Sequence, residues 1–113
     1  MIKVSFFYAN TEGSNFDSDY YCTTHAALFK QRLAPALKSF SIDCSLSGVT
    51  PDSKPPFHAV GNLFFDSIEA FYHALMPHSA ELKADGSNYA NVEAVVQISE
   101  VKITEIIRDD KIT

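Results

Sequence analysis

The sequence predicts an α+β fold, a ferredoxin-like βαββαβ order in which a four-stranded antiparallel sheet carries its helices on one face. Three observations predict it. Four segments repeat apolar residues at every second position, two repeat them at helical spacing, and polar or proline-rich stretches separate them. With 113 residues the chain is long enough to hide roughly two-thirds of its extended surface around one core. Residues 1–105 accordingly read as a single domain, and residues 106–113, alternating in charge, as a C-terminal tail.

The first strand, residues 2–8, sets Ile2, Val4, Phe6 and Tyr8 against Lys3, Ser5 and Phe7. A polar turn centred on Gly13 follows, and a helix starts near residues 16–18, where Asp17 or Ser18 can accept from unpaired backbone N–H groups. Its apolar side carries Cys22, His25, Phe29, Leu33 and Ala36, flanked by Tyr21, Ala26 and Leu37, and Pro35 ends or kinks the last turn. Residues 39–48 alternate again, with Phe40, Ile42, Cys44 and Leu46 on one side. The three prolines of residues 50–56 mark an exposed loop. In the third strand, residues 57–65, Ala59 and Gly61 leave a gap where another element or a ligand can approach. Asp66-Ser67-Ile68-Glu69 has the form of a capping box opening the second helix, whose stripe is Ile68, Phe71, Tyr72 and Leu75. Pro77 breaks that helix or restarts it, and the remainder runs out near Asp85 and Gly86. An irregular connector with Tyr89 leads to the fourth strand, residues 94–104.

One sheet face, built from Ile2, Val4, Phe6, Tyr8, Phe40, Ile42, Cys44, Leu46, Leu63, Phe65, Val96 and Ile98, is apolar enough to lie beneath the helices. The other mixes Ser5, Ser41 and Ser45 with Phe7, Val60, Phe64, Val95 and Val101, and is too apolar for free exposure. A second copy of the sheet would cover it, so a homodimer is expected.

Composition excludes more than it names. Fourteen acidic against nine basic residues, a net charge of −5, work against phosphate-neutralising partners, so neither nucleic acid nor an anionic membrane is expected. No apolar run reaches the roughly 20 residues of a membrane span, and the N-terminus lacks the basic and apolar regions of a secretory signal, which points to a cytoplasmic protein. Cys22 and Cys44 are too few for a disulfide framework and are expected as small buried hydrophobes. The spacings of metal sites, the serine-hydrolase elbow and glycine-rich phosphate loops are absent, so no metal and no cofactor is expected.

The run Tyr20-Tyr21-Cys22-Thr23-Thr24-His25, the run from Phe65 to Phe71, and Asn88-Tyr89 followed by Val96-Gln97-Ile98-Ser99-Glu100-Val101 resemble the EthD family, named for ethyl tert-butyl ether degradation. The resemblance spans roughly residues 2–103, with Ala27 where the family commonly has a proline. It implies a dimeric α+β barrel, in which two sheets close on one another and each subunit keeps a small pocket between helices and sheet. The superfamily includes lactone isomerases, cofactor-independent monooxygenases, cyclases and haem-degrading enzymes, so the resemblance does not fix a reaction.

His25 is the residue whose position asks for a partner, because an unpaired buried imidazole costs about 1–3 kcal/mol. Either it is a core histidine bonded to a tyrosine or a backbone carbonyl, or it is a general acid/base facing a ligand. No Asp or Glu adjacent in sequence orients it. A pocket at His25 would be lined by Tyr8, Tyr21, Phe29, Met76 and Tyr89, beneath the gap at Ala59 and Gly61, with His78 at the mouth. His58 is expected at the sheet interface or in solvent and His73 on the outer side of the second helix. The expected ligand is a small, mostly apolar or aromatic metabolite. Isomerisation, cyclisation, dehydration or cofactor-independent oxygenation all suit one histidine; the alternatives are a noncatalytic binding subunit of a degradation pathway and a haem-binding protein.

Overall fold

The computed structural model describes residues 1–108; the last part of the expected tail, residues 109–113, lies outside the described residues. Four strands, β1 (Ile2–Ala9), β2 (Ser39–Cys44), β3 (Phe57–Phe65) and β4 (Val95–Glu100), pair antiparallel in the order β2-β3-β1-β4. Between β1 and β2 runs helix α1, an unbroken succession of Ser18–Tyr20, a π-helical turn Tyr21–His25 and Ala26–Leu33. Between β3 and β4 come α2 (Ile68–Leu75), a 3-10 turn (Met76–His78), α3 (Ser79–Asp85) and a second 3-10 turn (Gly86–Asn88). This is the predicted ferredoxin-like α+β fold.

Register explains the strand ends. Val4 faces Leu63 and Ile98, so three apolar side chains meet on the helix side at the sheet's centre. β4 ends at Glu100, opposite Ile2, and the next residue, Val101, donates its N–H to the Met1 carbonyl at 3.1 Å. The strand is therefore shorter than the expected run to residue 104. β2 likewise ends at Cys44 rather than residue 48, since β3 begins near its level, and Leu46 is left 98% exposed instead of lying under the helices.

The caps follow the chemistry of short polar side chains. Asp17 accepts from the Tyr20 N–H at 3.0 Å to start α1. At α2 the cap is Ser67, accepting from Ala70 N–H at 3.1 Å, and not Asp66 in a reciprocal box with Glu69. Ala34 turns extended before Pro35, which the ring of that proline demands, and α1 ends. Pro77 occupies the first positions of the 3-10 turn, where its missing N–H costs nothing. The Arg32 guanidinium donates to both carboxylate oxygens of Glu81, at 2.8 and 3.2 Å, and ties α3 to α1.

Under the helices the core divides. Val4, Ala26, Phe29, Leu33, Leu63, Phe65 and Phe71 form an aliphatic and phenyl cluster, and Tyr8, Tyr21 and Tyr89 form a second, aromatic one. On the opposite face Ser5 and Asn62 are buried side by side, the Ser5 hydroxyl donating to Asn62 Oδ1 at 3.2 Å and Asn62 Nδ2 to Asp43 at 3.0 Å. His58 does not project freely: its Nε2 meets the Ser14 hydroxyl at 2.8 Å and its ring stacks on Phe16. Among the described residues no helix is long and apolar enough to cross a membrane.

Candidate functional site

The site begins with the π-turn. Thr23 bends its hydroxyl back to the Asp19 carbonyl at 2.6 Å, a bond that competes with the helical ladder, and the Ala26 N–H reaches five residues back to Tyr21. The widened turn sets Tyr21 and His25 on the buried side, their rings stacked 15° from parallel with centroids 5.5 Å apart. Tyr21 drives its hydroxyl against Gly61, where a Cβ would collide with it. The gap read at Ala59 and Gly61 is thus filled by a tyrosine of the protein itself, and these two residues do not line the cavity.

His25 has the partner that no sequence neighbour supplies. Asp85, the last residue of α3, places Oδ2 2.8 Å from His25 Nδ1. Its other oxygen accepts from the Tyr20 hydroxyl at 2.7 Å and from Asn88 Nδ2 at 2.9 Å. Burial acts to raise the Asp85 pKa, but these three hydrogen bonds outweigh it and hold the carboxyl below its ordinary value. An ionised carboxylate accepts the Nδ1–H, which leaves Nε2 as the free ring atom; it has no protein partner among the described residues and is not sealed from solvent.

Beside the dyad lies a cavity of about 630 Å³. Tyr8, Tyr21, His25, Phe29 and Tyr89, all expected there, come together on its wall. Leu63, Phe71, Leu75, Leu82, Val92 and Val96 supply much of the apolar remainder, and Lys83 and Glu93 the charges. Met76 and His78 stay outside: the 3-10 turn after α2 swings the phase of the helix, leaving Met76 75% exposed. Tyr8 and Tyr89 share a hydroxyl–hydroxyl bond of 2.9 Å. Burial pushes the hydroxyls of Tyr8, Tyr21 and Tyr89 well above their usual range, so each stays protonated and able to donate. The Tyr89 ring packs on His25 with centroids 4.7 Å apart.

Sequence reasoning missed Asp85, Tyr20 and Asn88. An Asp before a Gly at a helix end reads as a stop signal, and the only hint of another use was its place at the end of the second helical segment of a βαββαβ chain. Cys22 and Cys44 are not the buried hydrophobes expected: both are exposed, their sulfurs 3.8 Å apart.

Among solved structures the chain is similar to an EthD-like protein of Ralstonia eutropha JMP134, with 38% identity, 92% of this chain and 94% of that one covered, and a TM-score of 0.87. An ethyl tert-butyl ether degradation family protein of Bacillus halodurans C-125 matches at 20% identity over 90% of this chain and 99% of its own, with a TM-score of 0.70. HapK from Hahella chejuensis shares the fold at 14% identity, with 96% of this chain and all 100% of its own covered, and a TM-score of 0.61. No family model and no curated protein matches the chain. Fold, site and the Ralstonia relative define the class: the chain belongs to the EthD-like family.

Proposed function

We propose that the cavity binds a small, mostly apolar carbonyl or hydroxyl compound and that His25 acts on it as a general acid/base. One observation carries the reading: His25 lines the cavity with Nδ1 held by Asp85 at 2.8 Å, an arrangement that fixes the tautomer and leaves Nε2 to take or give a proton. Asp85 stabilises the imidazolium formed when Nε2 takes up the proton. The neutral hydroxyls of Tyr8 and Tyr89 share one proton in their 2.9 Å bond, so the pair has one further O–H to turn toward a developing oxyanion, and the apolar wall strengthens that interaction by excluding water. Proton abstraction beside a carbonyl, the common step of isomerisation, cyclisation, dehydration and cofactor-independent oxygenation, is the reaction class.

The test uses solvent deuterium. Cyclic ketones and lactones that raise the melting temperature are incubated with the protein in heavy water and followed by NMR. Exchange at the carbon next to the carbonyl should proceed with the native protein and slow by about 10²–10⁴-fold in His25→Ala, with the fold retained. Equal exchange in both proteins sinks the acid/base role, and binding without exchange favours the noncatalytic reading.

A homodimer through the open sheet face belongs to the same proposal. Val95 is 62% exposed there, beside the part-exposed Phe7, Val60 and Phe64. Closing two such faces together buries more than about 1,000 Å². Light scattering should return twice the 12.5 kDa of the chain, and Val60→Asp should halve that mass or unfold the protein. A native mass of one chain at micromolar concentration ends the dimer.

A further inference from the structure

The two cysteines stand apart from the dyad, and neither the fold nor the proposed proton transfer uses them. Cys22 lies in the π-turn between Tyr21 and Thr23, and Cys44 is the last residue of β2, at the edge of the sheet. Twenty-two positions separate them in sequence, yet their sulfurs are 3.8 Å apart, in van der Waals contact, and both side chains are exposed. Cys44 shares the helix side of the sheet with Ile42, so the pair is clear of the face assigned to the dimer.

We propose that Cys22 and Cys44 form a reversible intrachain disulfide, a modification site that straps the His25 turn to the sheet edge. A disulfide needs sulfurs about 2.05 Å apart, so they must close by about 1.8 Å. Two exposed side chains, one at a strand end, have the rotational freedom to do so. The oxidant is a small disulfide such as oxidised glutathione. One cysteine thiolate attacks it, forms a mixed disulfide and releases one thiolate. The second cysteine loses its proton, attacks the protein sulfur of that mixed disulfide and expels the other thiolate. Two cysteine thiols and one small disulfide thus become one protein disulfide and two small thiols. The two electrons pass to the small disulfide, and the two protons end on its thiols.

The bond has a structural consequence. It ties the turn that carries both Tyr21 and His25 to β2, and closes a loop that contains the last turns of α1. Cross-linking a loop of this length constrains the unfolded chain and raises the melting temperature by roughly 5–15 °C.

The full chain is treated with oxidised glutathione and read by intact mass, non-reducing peptide mapping, non-reducing electrophoresis and thermal melting. Expected are a loss of about 2 Da for two hydrogens, a single cross-link joining the Cys22 and Cys44 peptides, and a higher melting temperature that dithiothreitol reverses. Cys22→Ser should instead hold one glutathione on Cys44, because no second thiol displaces it. Cross-linking between two chains, two persistent glutathione adducts, or two thiols left free after the treatment would each overturn the proposal.

Discussion

The two clusters beneath the helices are buried almost alike, Val4 and Phe65 to 0% exposure and Tyr21 to 2%, but they are built from different chemistry. Around Val4, Leu33, Leu63, Phe65 and Phe71 every packed side-chain atom is carbon, and only shape and volume decide the fit. Around Tyr8, Tyr21 and Tyr89 each ring brings a hydroxyl that must be satisfied without water, and the 2.9 Å bond between Tyr8 and Tyr89 does part of this. His25 packs on both, edge-on to Phe29 and tilted against Tyr89. The difference separates the half of the core that holds the sheet from the half that presents polar groups to a cavity.

Substitutions at the two ends should therefore fail differently. Phe65→Ala removes a fully buried ring that packs on Phe71 and does not touch the cavity; it should cost about 3–5 kcal/mol of stability in urea titration. Ligand affinity of the molecules that remain folded should not change. Tyr89→Phe keeps the ring but leaves the Tyr8 hydroxyl without that partner, a loss of about 1–2 kcal/mol, and it takes one hydroxyl from the cavity wall. Its affinity for an oxygen-bearing ligand should fall while stability falls less. Were both variants to lose only stability, to the same extent, the distinction between the clusters would collapse.

Why one cluster was legible and the other only partly so follows from the range of the signals. Alternation in β1, β3 and β4 fixes which side chains share a face, because a one-residue slip would invert every one of them. Val4, Leu63, Phe65 and Ile98 fell under the helices as read. The π-turn left no such trace: regular helical spacing puts Cys22 on the buried side, whereas the widened turn buries Tyr21 and leaves Cys22 exposed. Tyr8, Tyr21, Phe29 and Tyr89 were placed on the cavity by their faces and by resemblance. Asp85 was not, since it meets His25 across 60 positions and depends on how α3 docks on α1, a tertiary fact with no local pattern. Met76 and His78 were lost for a related reason, the phase change at the 3-10 turn.

Asp85 gives the comparison its finest test, because it stiffens the polar end alone. The hydrogen bonds from Tyr20, His25 and Asn88 make the folded carboxylate harder to protonate than the unfolded one, so its contribution is fully present above the unfolded pKa of about 3.9. It is lost as pH falls from there through the lower folded value. Because burial of the carboxylate opposes the three hydrogen bonds, the net loss should be no more than about 1 kcal/mol. Thermal melts of the native protein and Asp85→Asn should diverge above pH 4 and converge below it, the native protein losing the advantage that the carboxylate confers. The amide introduced by that substitution can also donate to His25 Nδ1 and reverse the tautomer, so proton exchange should fall in this variant while ligand binding persists. A pair of melting curves that stay parallel through the acid range would mean that the carboxylate contributes no more folded than unfolded, and would take Asp85 out of the site.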